Sequence, residues 1–141
     1  MKKTMLIGKT GSGKTTLIQA LNCEQLRYNK TQTMDYYQNF IDTPGEYIEN
    51  RRYYNAIISS ANQCHKIGLV QDASDSENIF PPNFANTFNQ GVFGIITKID
   101  KENIDLKKSS LILKRAGVQK ILKVSSKSGK NLKKLTKYLQ T

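Results

Sequence analysis

The 141-residue sequence predicts an α/β domain of three layers, with a mostly parallel central sheet that carries one antiparallel edge strand. Three observations carry that expectation. Short apolar runs alternate with longer segments of helical period, as in a parallel sheet. A glycine-rich run, Gly8-Lys9-Thr10-Gly11-Ser12-Gly13-Lys14-Thr15, lies between the first apolar run and the first helical segment. Three further polar motifs each follow directly on an apolar run, at the carboxyl edge where open α/β sheets bind ligands.

Thr4 to Ile7 reads as a buried strand and Lys14 to Asn22 as a helix, followed by a polar stretch from Cys23 to Lys30. Extended segments around Thr33–Tyr37 and Asn39–Ile41 are joined by so short a link that an antiparallel hairpin is expected, and Thr43-Pro44-Gly45 breaks the second. Arg51 to Asn62 has helical period, with Tyr54, Ile57 and Ile58 on one face. Ile67–Val70 is a buried strand, Asp72–Pro82 a loop, and Asn83–Asn89 a short helix. Val92–Ile96 is the next buried strand. Asn103–Arg115 is a helix stopped by Gly117, Lys120–Val124 the last strand and Asn131–Leu139 the last helix. The length suits one domain over residues 1–141 and is too short for two. There is no internal repeat, low-complexity tract or linker.

Composition narrows the function classes. No apolar run approaches the ~20 residues of a membrane span, and Met1-Lys2-Lys3 lacks the apolar core of a signal peptide, so a cytoplasmic protein is expected. Cys23 and Cys64 have no metal-ligand spacing, and His65 is the one histidine. The net charge of +11 is concentrated after Asp105, where eleven Lys or Arg residues and no acidic residue occur. Such a tail suits an anionic partner or a solvated surface. Scarce Arg and aromatic residues argue against nucleic acid.

The glycine-rich run matches G-x-x-x-x-G-K-[ST], and strand, loop and helix are the context this motif needs. Gly8, Gly11 and Gly13 let the backbone curl so that N–H groups, Ser12 included, face phosphate oxygens. The helix N-terminus, with Thr16 in its first turn, adds about half a positive charge there. Lys14 can reach the β- and γ-phosphates, and the Thr15 hydroxyl can ligate Mg²⁺. Asp42-Thr43-Pro44-Gly45 is a D-x-x-G element: Asp42 would hold Mg²⁺ through water, and the Gly45 N–H would sense the γ-phosphate. Thr97-Lys98-Ile99-Asp100 matches [NT]-K-x-D. Asp100 can accept from guanine N1–H and N2–H₂, donors that adenine lacks, while the Lys98 stem lies along the base face. Thr97 is shorter than the usual Asn, so weaker base affinity is expected. Ser125-Ser126-Lys127 resembles the S-A-K element of G domains, in which the N–H of Ser126 would reach guanine O6 and Lys127 completes the base site.

The four elements in this order predict a three-layer P-loop NTPase fold, a small Ras-like G domain binding GTP or GDP with Mg²⁺. Two departures stand out. Glu46 follows Gly45 where Ras-like proteins carry a water-orienting Gln. The stretch before Asp42 offers only Thr31 and Thr33 as a switch threonine capping Mg²⁺ and the γ-phosphate; Thr31 is preferred because it ends the polar loop. Arg27 is the one arginine of that region. Lys14, Thr31, Gly45 and Glu46 are therefore the expected catalytic group, and Thr15, Thr31 and Asp42 the expected metal ligands.

Lys30-Thr31-Gln32, the run Ile41-Asp42-Thr43-Pro44-Gly45-Glu46-Tyr47, Val70-Gln71-Asp72-Ala73, Phe80-Pro81-Pro82 and Thr97-Lys98-Ile99-Asp100 resemble the EutP/PduV family of bacterial proteins over nearly the whole chain. The resemblance implies a small Ras-like P-loop fold, an operon for ethanolamine or 1,2-propanediol breakdown, and a link to the bacterial microcompartment enclosing those pathways. Shell or enzyme proteins of that compartment are then the expected partners, and a homodimer is one route to faster turnover. It leaves two activities open, a GTPase switch and a phosphotransferase acting on acetate. A third alternative is a module that holds nucleotide without turnover and recruits a partner through Tyr36, Tyr37, Tyr47, Tyr53 and Tyr54.

Overall fold

A computed structural model describes residues 3–28 and 39–141, with side chains for 3–23 and 39–141. Strands β1 (Thr4–Ile7), β2 (Phe40–Asp42), β3 (Lys66–Asp72), β4 (Gly91–Thr97) and β5 (Ile121–Lys123) form one sheet in the order β2-β1-β3-β4-β5. Every pairing in it is parallel, with Met5 beside Ile41 and Ile67, Ile67 beside Val92, and Ile95 beside Leu122. The described strands thus include no antiparallel one. The segment Asn39–Ile41 enters the sheet as β2, parallel to β1, and its expected hairpin partner around Thr33–Tyr37 lies outside the described residues.

The helices are α1 (Lys14–Tyr28), α2 (Glu46–Glu49), α3 (Tyr54–Ala61), α4 (Leu106–Arg115) and α5 (Leu132–Leu139), with 3₁₀ turns at Arg51–Tyr53 and Phe84–Thr87. Helix α1 runs past its expected end at Asn22, because Glu24, Gln25, Leu26 and Arg27 are all good helix formers. The expected helix Arg51–Asn62 divides: Asn50 caps the 3₁₀ turn by accepting from Arg52 N, and the regular helix begins at Tyr54. Helix α4 starts at Leu106 rather than Asn103. Asn103 has φ 58°, and Asp105 takes the N-cap, accepting from Lys108 N.

Alternation along the strands buries both faces of the sheet. Met5, Ile7, Ile67, Leu69 and Ile96 pack with Ile48, Ile57, Phe84, Ile112 and Leu113 on the side of α2, α3 and α4. Leu6, Val70, Phe93 and Ile95 pack with Leu17 and Leu21 of α1 and Leu132, Leu135 and Leu139 of α5. Each fully buried aliphatic or aromatic side chain contributes about 1.5–3 kcal/mol of transfer free energy. Two dry layers therefore hold a rigid sheet whose strand ends all point the same way, so the loops after β1, β2, β3 and β4 meet at one edge. Cys64 is buried, and its surroundings push the thiol pKa up; Cys23 is exposed.

Candidate functional site: a phosphate loop tied to a base pocket

The loop between β1 and α1 has the curl its glycines promise. Gly11 and Gly13 have φ of +83° and +97°, values costly for any residue with a Cβ. Lys14 is buried, and its Nζ donates to Gly8 O at 2.6 Å and Lys9 O at 3.2 Å, so the ammonium sits inside the ring of backbone that would surround a phosphate. Desolvation lowers its pKa against the opposing pull of Asp42 and Glu49. The Thr15 hydroxyl, at the start of α1, donates to the carboxylate of Asp42 at the end of β2. These two hard oxygen donors touch each other beside the loop. The described residues contain no cluster of three His, Cys, Asp or Glu side chains able to hold a metal. A hydroxyl with one carboxylate is the incomplete set that suits Mg²⁺, which takes its remaining ligands from phosphate and water.

Every neighbouring strand end grips this loop. From β4, the Thr97 hydroxyl donates to Ser12 O at 2.7 Å, and Lys98 Nζ donates to Gly11 O at 2.7 Å and to Asp72 Oδ2 at 2.7 Å. Lys98 does this from a left-handed backbone, φ 62°, a conformation costing about 1 kcal/mol or more for a residue with a Cβ. Burial pushes the Asp72 carboxyl up, but hydrogen bonds from Lys98 and Ser74 outweigh it and hold the pKa below the ordinary range, so Asp72 stays ionised. From the loop after β3, Asp75 and Glu77 accept from Lys9 Nζ at 3.1 and 2.6 Å. From α2, the Glu49 carboxylate accepts from Thr10 N at 3.3 Å and Thr10 Oγ1 at 2.8 Å. Gly45 lies so close to the loop that a Cβ there would stand 2.2 Å from Thr10 N.

The residues expected to read a base come together at the far end. Gly13, Thr16, Thr97, Lys98, Asp100, Lys101, Ser126 and Lys127 line a pocket of about 230 Å³. A second pocket of about 260 Å³ over the loop shares Gly13, Thr16 and Lys98 with it, so the two adjoin. Asp100 is exposed at its mouth. The buried Ser125 hydroxyl donates to Asp100 Oδ1 at 2.7 Å, which lowers the carboxyl pKa and fixes its direction. Ser125 also ties down its own loop by accepting from Ser128 N at 3.0 Å.

Glu46 is exposed in the first turn of α2, and the acidic side chain that reaches the loop from this helix is Glu49. Thr31 and Thr33 lie outside the described residues, as do Tyr36 and Tyr37. Tyr47 and Tyr53 stack with ring centroids 4.7 Å apart, and Tyr54 packs on Phe84 in the core. The sequence motifs contain Thr10, Asp72 and Ser125 but assign them no role of their own, and they leave out Glu49. Asp72 at a strand end and Ser125 next to Ser126 were visible as polar residues on the ligand edge; Glu49 gave no signal of its own.

The PduV-EutP family profile, described as ethanolamine utilisation - propanediol utilisation, matches residues 1–141. The chain belongs to this family. It is 41% identical over 129 residues to the propanediol utilization protein PduV of Citrobacter freundii, covering 89% of this chain and 85% of that one. It is 28% identical over 142 residues to the probable acetate kinase EutP of Escherichia coli K12, covering 99% of this chain and 89% of that one. Among solved structures, the apo translation elongation factor SelB of Methanococcus maripaludis superposes with TM-score 0.66 at 20% identity, over 99% of this chain and 32% of that one. A variant of SsGBP gives TM-score 0.65 at 21% identity, over 99% of this chain and 55% of that one. This PduV-EutP member has the α/β fold of P-loop GTPases.

Proposed function

We propose that this chain is a Mg²⁺-dependent guanine-nucleotide-binding protein that hydrolyses GTP slowly, a switch or assembly factor for a bacterial ethanolamine or propanediol microcompartment. The observation that carries the reading is the pair of adjoining pockets, with Lys14 and Thr15 in one and Asp100 in the other, joined at Lys98. In this reading Gly8, Gly11, Ser12 and Gly13 present N–H groups to the phosphates, with Thr16 below them. Lys14 exchanges its two carbonyl partners for phosphate oxygens. Thr15 and Asp42 would hold Mg²⁺, with Thr31 as the third candidate; the ion neutralises charge on the β- and γ-phosphates. Gly45 would sense the γ-phosphate, and Glu46 would accept a hydrogen bond from the attacking water. Asp100 accepts from guanine N1–H and N2–H₂, Ser126 donates to O6, and Lys98 and Lys127 flank the base. The one-domain organisation belongs to the same proposal.

The test is direct: nucleotide released from the purified protein is identified by chromatography, and GTP and ATP affinities are compared with and without Mg²⁺. GTP preference supports the reading, and equal dissociation constants overturn it. A second reading, phosphoryl transfer to acetate, is favoured by the acetate kinase names of the Escherichia coli and Salmonella relatives. Transfer of labelled γ-phosphate to acetate faster than to water would select it.

A further inference from the structure

Strand β5 ends the sheet, and its outer edge has no partner among the described strands. Lys120 O and Val124 N are taken by β4, so by the alternation of a parallel ladder Ile121 and Lys123 turn their main-chain groups outward. Asn131 Nδ2 already donates to Lys123 O at 2.8 Å, which leaves the N–H of both residues and the carbonyl of Ile121 on the edge.

A groove lies on each side of this edge. Toward α5, one of about 510 Å³ is lined by Lys120, Lys123, Lys134, Lys137 and Tyr138. Toward α4, one of about 410 Å³ is lined by Lys107, Lys114, Lys123 and Leu111. Leu111 is 58% exposed, the one large apolar side chain so exposed among the described residues. No lysine of either groove pairs with a carboxylate among the described residues, and the sequence after Asp105 contains no acid to supply one. Lysine on an edge strand also serves to block unwanted pairing. That role alone requires neither an exposed leucine nor lysines placed on both helices as well as on the strand.

We infer that the β5 edge and its two flanking grooves form a docking site for an extended acidic peptide segment of another protein, taken up as an added strand. Added parallel or antiparallel, such a segment would make main-chain bonds to Ile121 and Lys123. Its alternate side chains would fall into opposite grooves, acidic ones among the lysines and an apolar one against Leu111. Nucleic acid fits less well, because the grooves contain no Arg and a single aromatic ring. The two grooves share no lining residue with the nucleotide site, and the proposal does not depend on the proposed activity.

The test uses the full chain and a labelled peptide of about ten alternating Glu and Val residues, read by fluorescence anisotropy at low salt. The expected result is saturable binding that weakens about ten-fold or more in the triple variant Lys120→Glu, Lys134→Glu, Lys137→Glu. A peptide with proline at alternate positions should lose a similar factor, because it cannot complete the ladder. An unchanged unfolding midpoint in the triple variant shows that the fold is kept. Should the variant unfold, acetylation of the wild-type lysines must abolish binding in its place. No binding to wild type overturns the proposal, as does equal binding by the proline peptide or tighter, lysine-dependent binding of single-stranded oligonucleotide or anionic vesicles.

Discussion

Asp100 is exposed, yet its direction is fixed by a hydroxyl that is fully buried. One carboxylate oxygen is engaged by Ser125, and the group keeps capacity to accept from two ligand N–H donors. Groups built to pair with a substrate donor reject an analogue lacking it by about 10⁴-fold. Asp100→Ala should therefore abolish preference for GTP over ATP, and Asp100→Asn should shift it toward xanthine nucleotides, both read from dissociation constants. Ser125→Ala should keep the preference but weaken GTP by about three- to ten-fold, the net worth of one typical intramolecular hydrogen bond. At this scale the sequence was legible where spacing carries chemistry, as in Lys14, Thr15, Asp42 and Asp100. It did not show that the Thr97 hydroxyl, at the wall of the base pocket, is buried and donates to Ser12 O. A residue's partner across the fold leaves no periodic trace, which is why Asp72 and Ser125, though inside motifs, had no role assigned.

Helix α2 is one turn long, with Gly45 against Thr10 at one end and the Glu49 carboxylate on Thr10 N and Oγ1 at the other. That carboxylate engages an N–H of the loop expected to receive phosphate. Triphosphate binding must displace it or place its charge beside a second anion. Glu49→Gln should thus tighten a non-hydrolysable GTP analogue by about three- to ten-fold while changing GDP less, since one like-charge contact at about 4 Å, screened by water as around the exposed Glu49, is worth about 1 kcal/mol. An unchanged ratio of the two dissociation constants would show that Glu49 stands clear of the γ-phosphate. The strand cores were legible because each is a continuous apolar run, and β1 begins and ends where the sequence puts it. The 3₁₀ turn after Asn50 and the single turn of α2 were not, because so few residues show no period. The antiparallel hairpin was expected from a short link alone; β2 pairs parallel to β1, and its expected hairpin partner lies outside the described residues.

Over the whole molecule, three strand-end loops hold the phosphate loop, through Glu49, through Asp75 and Glu77, and through Thr97 and Lys98. This convergence was readable in advance, because parallel strands with helical crossovers put all their carboxyl ends on one edge. The catalytic side is sparser. Ras without its activator turns over at roughly 10⁻⁴ to 10⁻³ s⁻¹ with a Gln that orients water. Glu46 can accept from water but has no N–H for the developing charge. The isolated chain should accordingly hydrolyse GTP no faster than about 10⁻³ s⁻¹ in single turnover at saturating Mg²⁺. A rate of about 1 s⁻¹, approaching activator-stimulated values, would refute this, and Glu46→Gln would then show whether Glu46 is the catalyst.

The burial of the Lys14 ammonium between Gly8 O and Lys9 O also couples nucleotide to protons. Desolvation lowers its pKa in the free protein, and a bound phosphate would raise it again. The protonated form is the one that binds, so affinity should fall as pH rises through the free-state pKa, earlier than for an ordinary lysine near 10.5. Binding in that alkaline range should draw a proton from the buffer. Calorimetric heats of GTP binding should then vary with the ionisation enthalpy of the buffer, and Lys14→Arg, whose charge is fixed, should remove that variation.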